Sequence, residues 1–248
     1  MQVSIAGGDT ARDLNLQKRV AIVARVAGPL AGKRLLDCGC GAGGYAREYA
    51  RLGATVIGVE YQSDKLRAAA RDQPGVLLVR ADAASLPLAA ASFDVAVLNE
   101  VLEHVPDQRR VLSELWRVLR PAGRLVLMSP NRLYPFETHG VRLRANGRRL
   151  PAHTPFVPYV PLALGTRVFE YWARNYWPRE LRTLVSGVGF RIQQTGFVAQ
   201  TFENISGTQP GWIEQVRPAL RQLVSFAEHI PGLRAVCSVS QLIVATKP

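Results

Sequence analysis

Hydrophobic residues in this chain come in short solid bursts, with amphipathic stretches between them. Leu35-Leu36, Thr55-Val56-Ile57-Gly58-Val59, Val76-Leu77-Leu78-Val79, Phe93-Asp94-Val95-Ala96-Val97-Leu98 and Arg124-Leu125-Val126-Leu127-Met128 read as buried strands. Residues 45–52, 63–71 and 108–119 instead repeat apolar positions at helical spacing, and the last puts Val111, Leu112, Leu115, Val118 and Leu119 on one face. Gly53, Pro74-Gly75 and Pro121-Ala122-Gly123 end these helices, and Ser63 reads as a cap. A leading amphipathic helix is predicted over residues 10–28, a further helix over 178–187, and strands over 190–198 and 238–246. Alternating strands and helices demand crossover connections and a sheet covered on both faces. The expected fold is therefore α/β, a doubly wound and mostly parallel sheet of seven strands.

Two stretches break this rhythm. Residues 130–177, rich in Pro, aromatics and Arg, start where the carboxyl edge of the sheet opens, and are expected to form an inserted lid over a ligand. Residues 199–236 form a second insertion, whose main helix is predicted over 212–229 and is kinked or split by Pro218. No repeat or linker divides the chain, so residues 1–248 are read as one domain with 1–30 as its N-terminal helical segment.

A hydrophobic fraction of 48% and a charged fraction of 20% supply a packed core and exclude disorder. No apolar run reaches spanning length and residues 1–12 lack a signal-peptide core, which predicts a soluble cytoplasmic protein. The 3 cysteines cannot all pair, and Cys38-x-Cys40 lacks the two-residue gap of a redox or zinc motif, so free thiols are expected. The net charge of +12 points toward polyanions, but the basic residues are mostly Arg scattered along the whole chain. Nucleic acid is accordingly not favoured as a partner.

Chemistry concentrates in Leu35-Leu36-Asp37-Cys38-Gly39-Cys40-Gly41-Ala42-Gly43-Gly44, a strand running into a glycine-rich turn and then a helix. Glycines there let a ligand touch the backbone. Gly39, Gly41 and Gly44 satisfy G-x-G-x-x-G, and Glu60 closes the second strand where dinucleotide sites keep a ribose-binding acid. Asp37, however, would repel a pyrophosphate and welcome a cationic amino-acid group. That argues against a nicotinamide oxidoreductase, although Tyr61-x-x-x-Lys65 imitates a Tyr/Lys pair.

The run LDCGCGAG, the acid ending strand two, Ala81-Asp82-Ala83, Leu86-Pro87, Ser92-Phe93-Asp94-Val95 and Asn99-Glu100-Val101-Leu102-Glu103-His104-Val105 stand in one order over residues 33–130. Together they resemble the class I S-adenosylmethionine-dependent methyltransferases, in particular the ubiquinone and menaquinone biosynthesis-like branch. The resemblance implies a Rossmann-like sheet and S-adenosylmethionine as cofactor. Gly39 and Gly41 would let its methionine part lie on the backbone, Asp37 would attract its ammonium, and Glu60 would accept both ribose hydroxyls. Asp82 would accept from the adenine amino group and Ala83 would offer a backbone N–H to the ring, with Tyr61 and Leu86 on its faces. Asn99 would face the methionine end through its backbone carbonyl.

Methyl transfer asks mainly for alignment and exclusion of water, but a proton must leave the acceptor. E-x-x-E-H puts Glu100 and His104 four apart on one expected helical face, with Glu103 adjacent. It resembles the metal-binding E-x-x-E-H of the small-RNA 2′-O-methyltransferases and the ubiquinone-pathway O-methyltransferases. Glu100, Glu103 and His104 are thus read as metal ligands, as a site with His104 as metal-free general base, or as structural residues, and a divalent metal is not favoured. His139, in Tyr134-Pro135-Phe136-Glu137-Thr138-His139-Gly140, is a candidate fourth ligand or second base. The expected activity is methyl transfer to an oxygen of a small-molecule or lipid-like acceptor. The Trp, Tyr and Arg of residues 130–177 suit either a soluble metabolite or peripheral contact with a membrane. An RNA ribose methyltransferase and a non-catalytic cofactor-binding scaffold are the alternatives, and the oligomeric state is left open.

Overall fold

The computed structural model describes residues 14–72, 76–151, 153–202, 211–230 and 232–248. The expected helix stop at Pro74-Gly75, the first part of the 1–30 segment and the start of the second insertion's loop lie outside these residues. The chain gathers into two compact units. One comprises Leu16–Ser129, Arg179–Gly196 and Leu242–Pro248; the other takes in Pro130–Pro178 and Phe197–Gln241, with Leu14 and Asn15.

In the first unit the solid apolar bursts become parallel strands: β1 (Arg34–Cys38), β2 (Thr55–Glu60), β3 (Leu77–Arg80), β4 (Phe93–Asn99) and β5 (Leu119–Pro130). Leu36 of β1 lies between Ile57 of β2 and Ala96 of β4, and Leu98 faces Leu127 of β5. Leu35, Leu36, Leu98 and Leu127 are fully buried, each worth about 1.5–3 kcal/mol against exposure. Amphipathic helices cover the sheet: α1 (Leu14–Ala27), α2 (Gly44–Arg51), α3 (Ser63–Asp72), α4 (Gln108–Val118) and α6 (Pro178–Ser186), the last following α5 (Leu162–Val168) of the other unit. Asp107 caps α4 by accepting from the Arg110 N–H at 2.9 Å, and α4 buries Val111, Leu112, Leu115 and Val118, as its spacing predicts. Pro121-Ala122-Gly123 does not separate α4 from the next strand. The β4–β5 register jumps from Phe93↔Leu119 to Val95↔Arg124, so these residues form an excursion within β5, with Ala122 at φ 62.

With β9 (Arg191–Ala199) and β10 (Ser238–Thr246), the sheet order is β3-β2-β1-β4-β5-β10-β9. The chain leaves β1 toward β2 and β3 on one side and resumes with β4 on the other. Adjacent β1 and β4 therefore diverge at their carboxyl ends, which is where open α/β sheets hold ligands.

The second unit holds elements that no periodicity announced. β6 (Val141–Leu143) pairs antiparallel with both β7 (Arg149–Leu150) and β8 (Phe169–Tyr171), and α5 (Leu162–Val168) leads into β8. Side-chain amides bind its loops: Asn131 Nδ2 donates to the carbonyls of Ala235 and Ser238, and Gln241 Nε2 to that of Tyr176. Helix α7 (Trp212–Ala227) runs unbroken through Pro218 and is followed by α8 (Leu233–Val236), so the proline does not split it.

Candidate active site

At the end of β1 the backbone turns through Gly39, Gly41 and Gly43, all at positive φ. Gly39 has no alternative. A Cβ there would stand 2.3 Å from Val101 Cγ2, and its φ of +82 is in the left-handed region that penalises any side chain. Gly39 and Cys40 donate their N–H groups to the Val59 carbonyl at 2.7 and 2.9 Å, fastening the turn to β2. Gly41 differs: a Cβ there would meet nothing within 4 Å, so the backbone itself borders open space.

Acids gather around this turn in a chain whose overall charge is strongly positive. Asp37 is 2% exposed and its Oδ2 has no hydrogen-bond partner among the described residues. Burial, reinforced by the Glu60 carboxylate and partly offset by the Ala46 N–H, pushes its carboxyl up to about 7. Glu60, buried at the end of β2, accepts from the Gly41 N–H at 3.0 Å through Oε2 and from the Gln62 N–H at 2.8 Å through Oε1. Each oxygen keeps acceptor capacity, because a carboxylate offers about four lone-pair sites. Asp82, exposed in the loop after β3, accepts from the Ala84 N–H at 2.8 Å, with Ala83 inside that turn. The loop is held to α4 by Leu86, whose N–H donates to Glu114 Oε2 and whose carbonyl accepts from Arg117. Leu86 is buried, whereas Tyr61 is exposed.

The carboxyl end of β4 departs from the expected helix. Glu100 takes φ 54, and a single 3-10 turn at Leu102–His104 follows, so Glu100 and His104 do not share a helical face. A side chain that sequence reasoning missed explains this. Arg19 of α1, 4% exposed, donates through Nη1 to Asn99 Oδ1 at 2.7 Å and to Glu100 Oε1 at 2.9 Å. Burial alone would lower its proton affinity, but Glu100, Tyr45 and Glu103 outweigh burial and raise it. Its signal was a charge on the buried face: Leu16, Arg19, Val23 and Ala27 recur at helical spacing and all are buried.

Glu103 is enclosed, with Oε2 accepting from Ser129 Oγ at 3.2 Å and Oε1 unpartnered among the described residues. Burial first, and the Glu100 carboxylate second, hold its carboxyl well above the ordinary range. Half-exposed His104 places Nε2 4.0 Å from Glu103 Oε1. Tyr49, on the buried face of α2, has a hydroxyl without a hydrogen-bond partner among the described residues, and its proton affinity is raised by burial and then by Asp37. Neither Ser129 nor Tyr49 carries a motif that a sequence reading could use.

His139 belongs to the other unit. Its backbone N–H donates to Glu137 Oε1 at 2.9 Å and its Nδ1 lies 3.2 Å from Thr138 Oγ1. Glu137, 1% exposed and also bound by Asn175 Nδ2, is the organising acid of that loop.

Known proteins are similar to this chain. The family model of a methyltransferase domain matches residues 36–127. An uncharacterized methyltransferase of Mycobacterium bovis is 32% identical over 202 residues, which cover 79% of this chain and 74% of that protein. Another, from Mycobacterium sp. (strain JLS), is 41% identical over 112 residues, 45% of this chain; the match spans just 44% of that relative's length. Among solved structures, an S-adenosylmethionine-dependent methyltransferase from Mesorhizobium loti superposes with a TM-score of 0.61 at 21% identity, covering 94% of this chain and 100% of its own.

Proposed function

The chain belongs to the class I S-adenosylmethionine-dependent methyltransferases, and on that premise we propose that it methylates an oxygen of a small-molecule or lipid-like acceptor. The observation that carries the cofactor reading is Asp37 Oδ2, a buried and unpartnered acceptor at the end of β1 where the sheet order reverses. An unsatisfied buried carboxylate is costly, and a ligand ammonium removes the cost. The residues fit the cofactor in two further respects. Gly41 leaves its backbone open to a ligand, and Glu60 retains acceptor sites for a ribose diol.

S-adenosylmethionine, when bound, supplies a methyl group already activated on a sulfonium. The protein's own residues then hold, orient and accept a proton. Asp37 anchors the ammonium, Glu60 fixes the ribose, and the turn at Gly39 and Gly41 lets the amino-acid part approach the backbone. His104 takes the acceptor's hydroxyl proton. The Glu103 carboxyl beside it, enclosed and partly unpartnered, stabilises the imidazolium that forms. Arg19, by fixing Asn99 and Glu100, sets the path of the backbone that carries both.

Methyl-labelled cofactor, incubated with the protein and extracted acceptors, tests this reading. Label on a product oxygen, unchanged turnover with chelator, and a fall of about a hundredfold or more in kcat for His104→Ala with cofactor binding intact are expected. Methyl on nitrogen or carbon would overturn the acceptor atom, and loss of turnover with chelator would replace the metal-free base by a metal. Cofactor binding without label in any product would leave a scaffold.

A further inference from the structure

The second unit presents an apolar tip that its own packing leaves uncovered. Phe156 is 65% exposed, Leu164 55% and Val168 49%, and Tyr159, Leu162 and Trp177 are exposed beside them in sequence or by ring contact. These positions form one neighbourhood. Phe156 and Tyr159 rings lie 6.2 Å apart, Tyr159 stacks on Trp177 at 6.3 Å, and α5 begins three residues after Tyr159. The surface is built rigidly. Arg132 Nη2 donates to the Val160 carbonyl and its guanidinium lies over the Trp177 ring at 5.2 Å. Helix α5 is seated by Gly165, the buried residue of that helix, where a Cβ would collide with the Tyr171 hydroxyl.

Around the tip the charge is one-sided. Residues 130–178 contain seven Arg and two Glu. Arg144 and Arg167 are exposed, Arg167 within α5 itself and Arg144 with its Nε donating to the carbonyl of Thr166 near the end of that helix. Apolar side chains on a short helix, Trp and Tyr rings beside them and an arginine collar are the composition of a segment that enters the headgroup layer of a bilayer. A second copy of this surface would bring the two collars together, which like charge disfavours.

We propose that this tip, Phe156, Leu162, Leu164 and Val168 with its arginine collar, docks on an anionic lipid bilayer. The inference stands apart from methyl transfer, since it is read by vesicle binding without turnover. The full chain should float with vesicles of phosphatidylglycerol and phosphatidylcholine in equal parts, and should do so weakly with phosphatidylcholine alone or at high salt. Phe156→Asp with Leu164→Asp should weaken partition at least about tenfold, the value of one large apolar side chain fully buried. Arg144→Glu with Arg167→Glu should weaken it comparably on anionic vesicles and leave phosphatidylcholine unaffected. Leu77→Ser, at an exposed site on β3 of the other unit, should change nothing. Brominated acyl chains should quench fluorescence that disappears in Trp177→Phe. Unchanged melting temperature and S-adenosylhomocysteine affinity in each variant show that the fold survives. Partition that ignores these substitutions overturns the proposal. So does failure to bind anionic vesicles together with a dimer that Leu164→Asp dissociates, which would assign the tip to a second copy.

Discussion

Arg19 Nη1 donates to Asn99 Oδ1 at 2.7 Å, joining the first helix to the end of the fourth strand across 80 positions of sequence. The same atom pairs with Glu100 at 2.9 Å, and Glu100 sits at φ 54, where a side chain is uncomfortable. Arg19→Met should therefore cost about 2 kcal/mol, a loss moderated because the Glu100 side chain is 26% exposed. For a domain of this size that lowers the melting temperature by about 4–8 °C. Arg19→Lys should recover only part, since an ammonium lacks the planar fork. Differential scanning calorimetry checks both.

Asp37 gives the site a pH signature. Its carboxyl titrates at about 7 in the folded chain and near about 3.9 when unfolded, so the free folded protein binds the extra proton between those values. Stability from this group is thus greatest at low pH and falls as pH rises from about 4 to 7. A bound ammonium reverses the preference and favours the ionised carboxylate. Affinity for S-adenosylhomocysteine should rise with pH up to about 7, approaching tenfold per unit below it. Asp37→Asn should bind weakly with a flat profile, as titration calorimetry at several pH values would show.

Gly39→Ala combines two penalties, a left-handed φ and a methyl 2.3 Å from Val101 Cγ2. About 3 kcal/mol of destabilisation is expected. Adding Val101→Ala removes the collision and not the backbone strain, so the double variant should regain roughly half of that loss in urea unfolding.

Glu103 holds its proton because it is enclosed. Glu103→Gln mimics the protonated group and should cost under about 1 kcal/mol at neutral pH. The raised proton affinity also means that stability from the native carboxyl is present at low pH and lost as pH rises, a slope the Gln variant should lack. Methyl transfer should nonetheless fall, because the carboxyl can give up its proton as His104 becomes cationic and then pair with the imidazolium, which an amide cannot do. Equal loss of stability and activity would make Glu103 a packing residue.

The first unit was legible because its strands are buried on both faces and its helices on one, which writes period and burst into the sequence. Leu35-Leu36, the glycine turn and Glu60 fell where the pattern put them, since each must meet a backbone requirement that few residues satisfy. The stretch after Asn99 was not legible. Four-residue spacing suggested a helical face, but Arg19, remote in sequence, draws Glu100 into a left-handed turn that no local propensity encodes. The short strands β6 to β8 were hidden for a related reason: at two or three residues each they are too brief to show alternation.

Thiol placement turns the fold into its own reporter. Cys38 and Cys40 flank Gly39, both are buried, and burial with Asp37 and Glu60 nearby suppresses their thiolates; Cys237 is partly exposed. An alkylating reagent should label Cys237 first in the native chain. It can reach Cys40 only when the turn detaches from the Val59 carbonyl, so that slower labelling rate counts openings of the turn, and a ligand seated on the turn retards it.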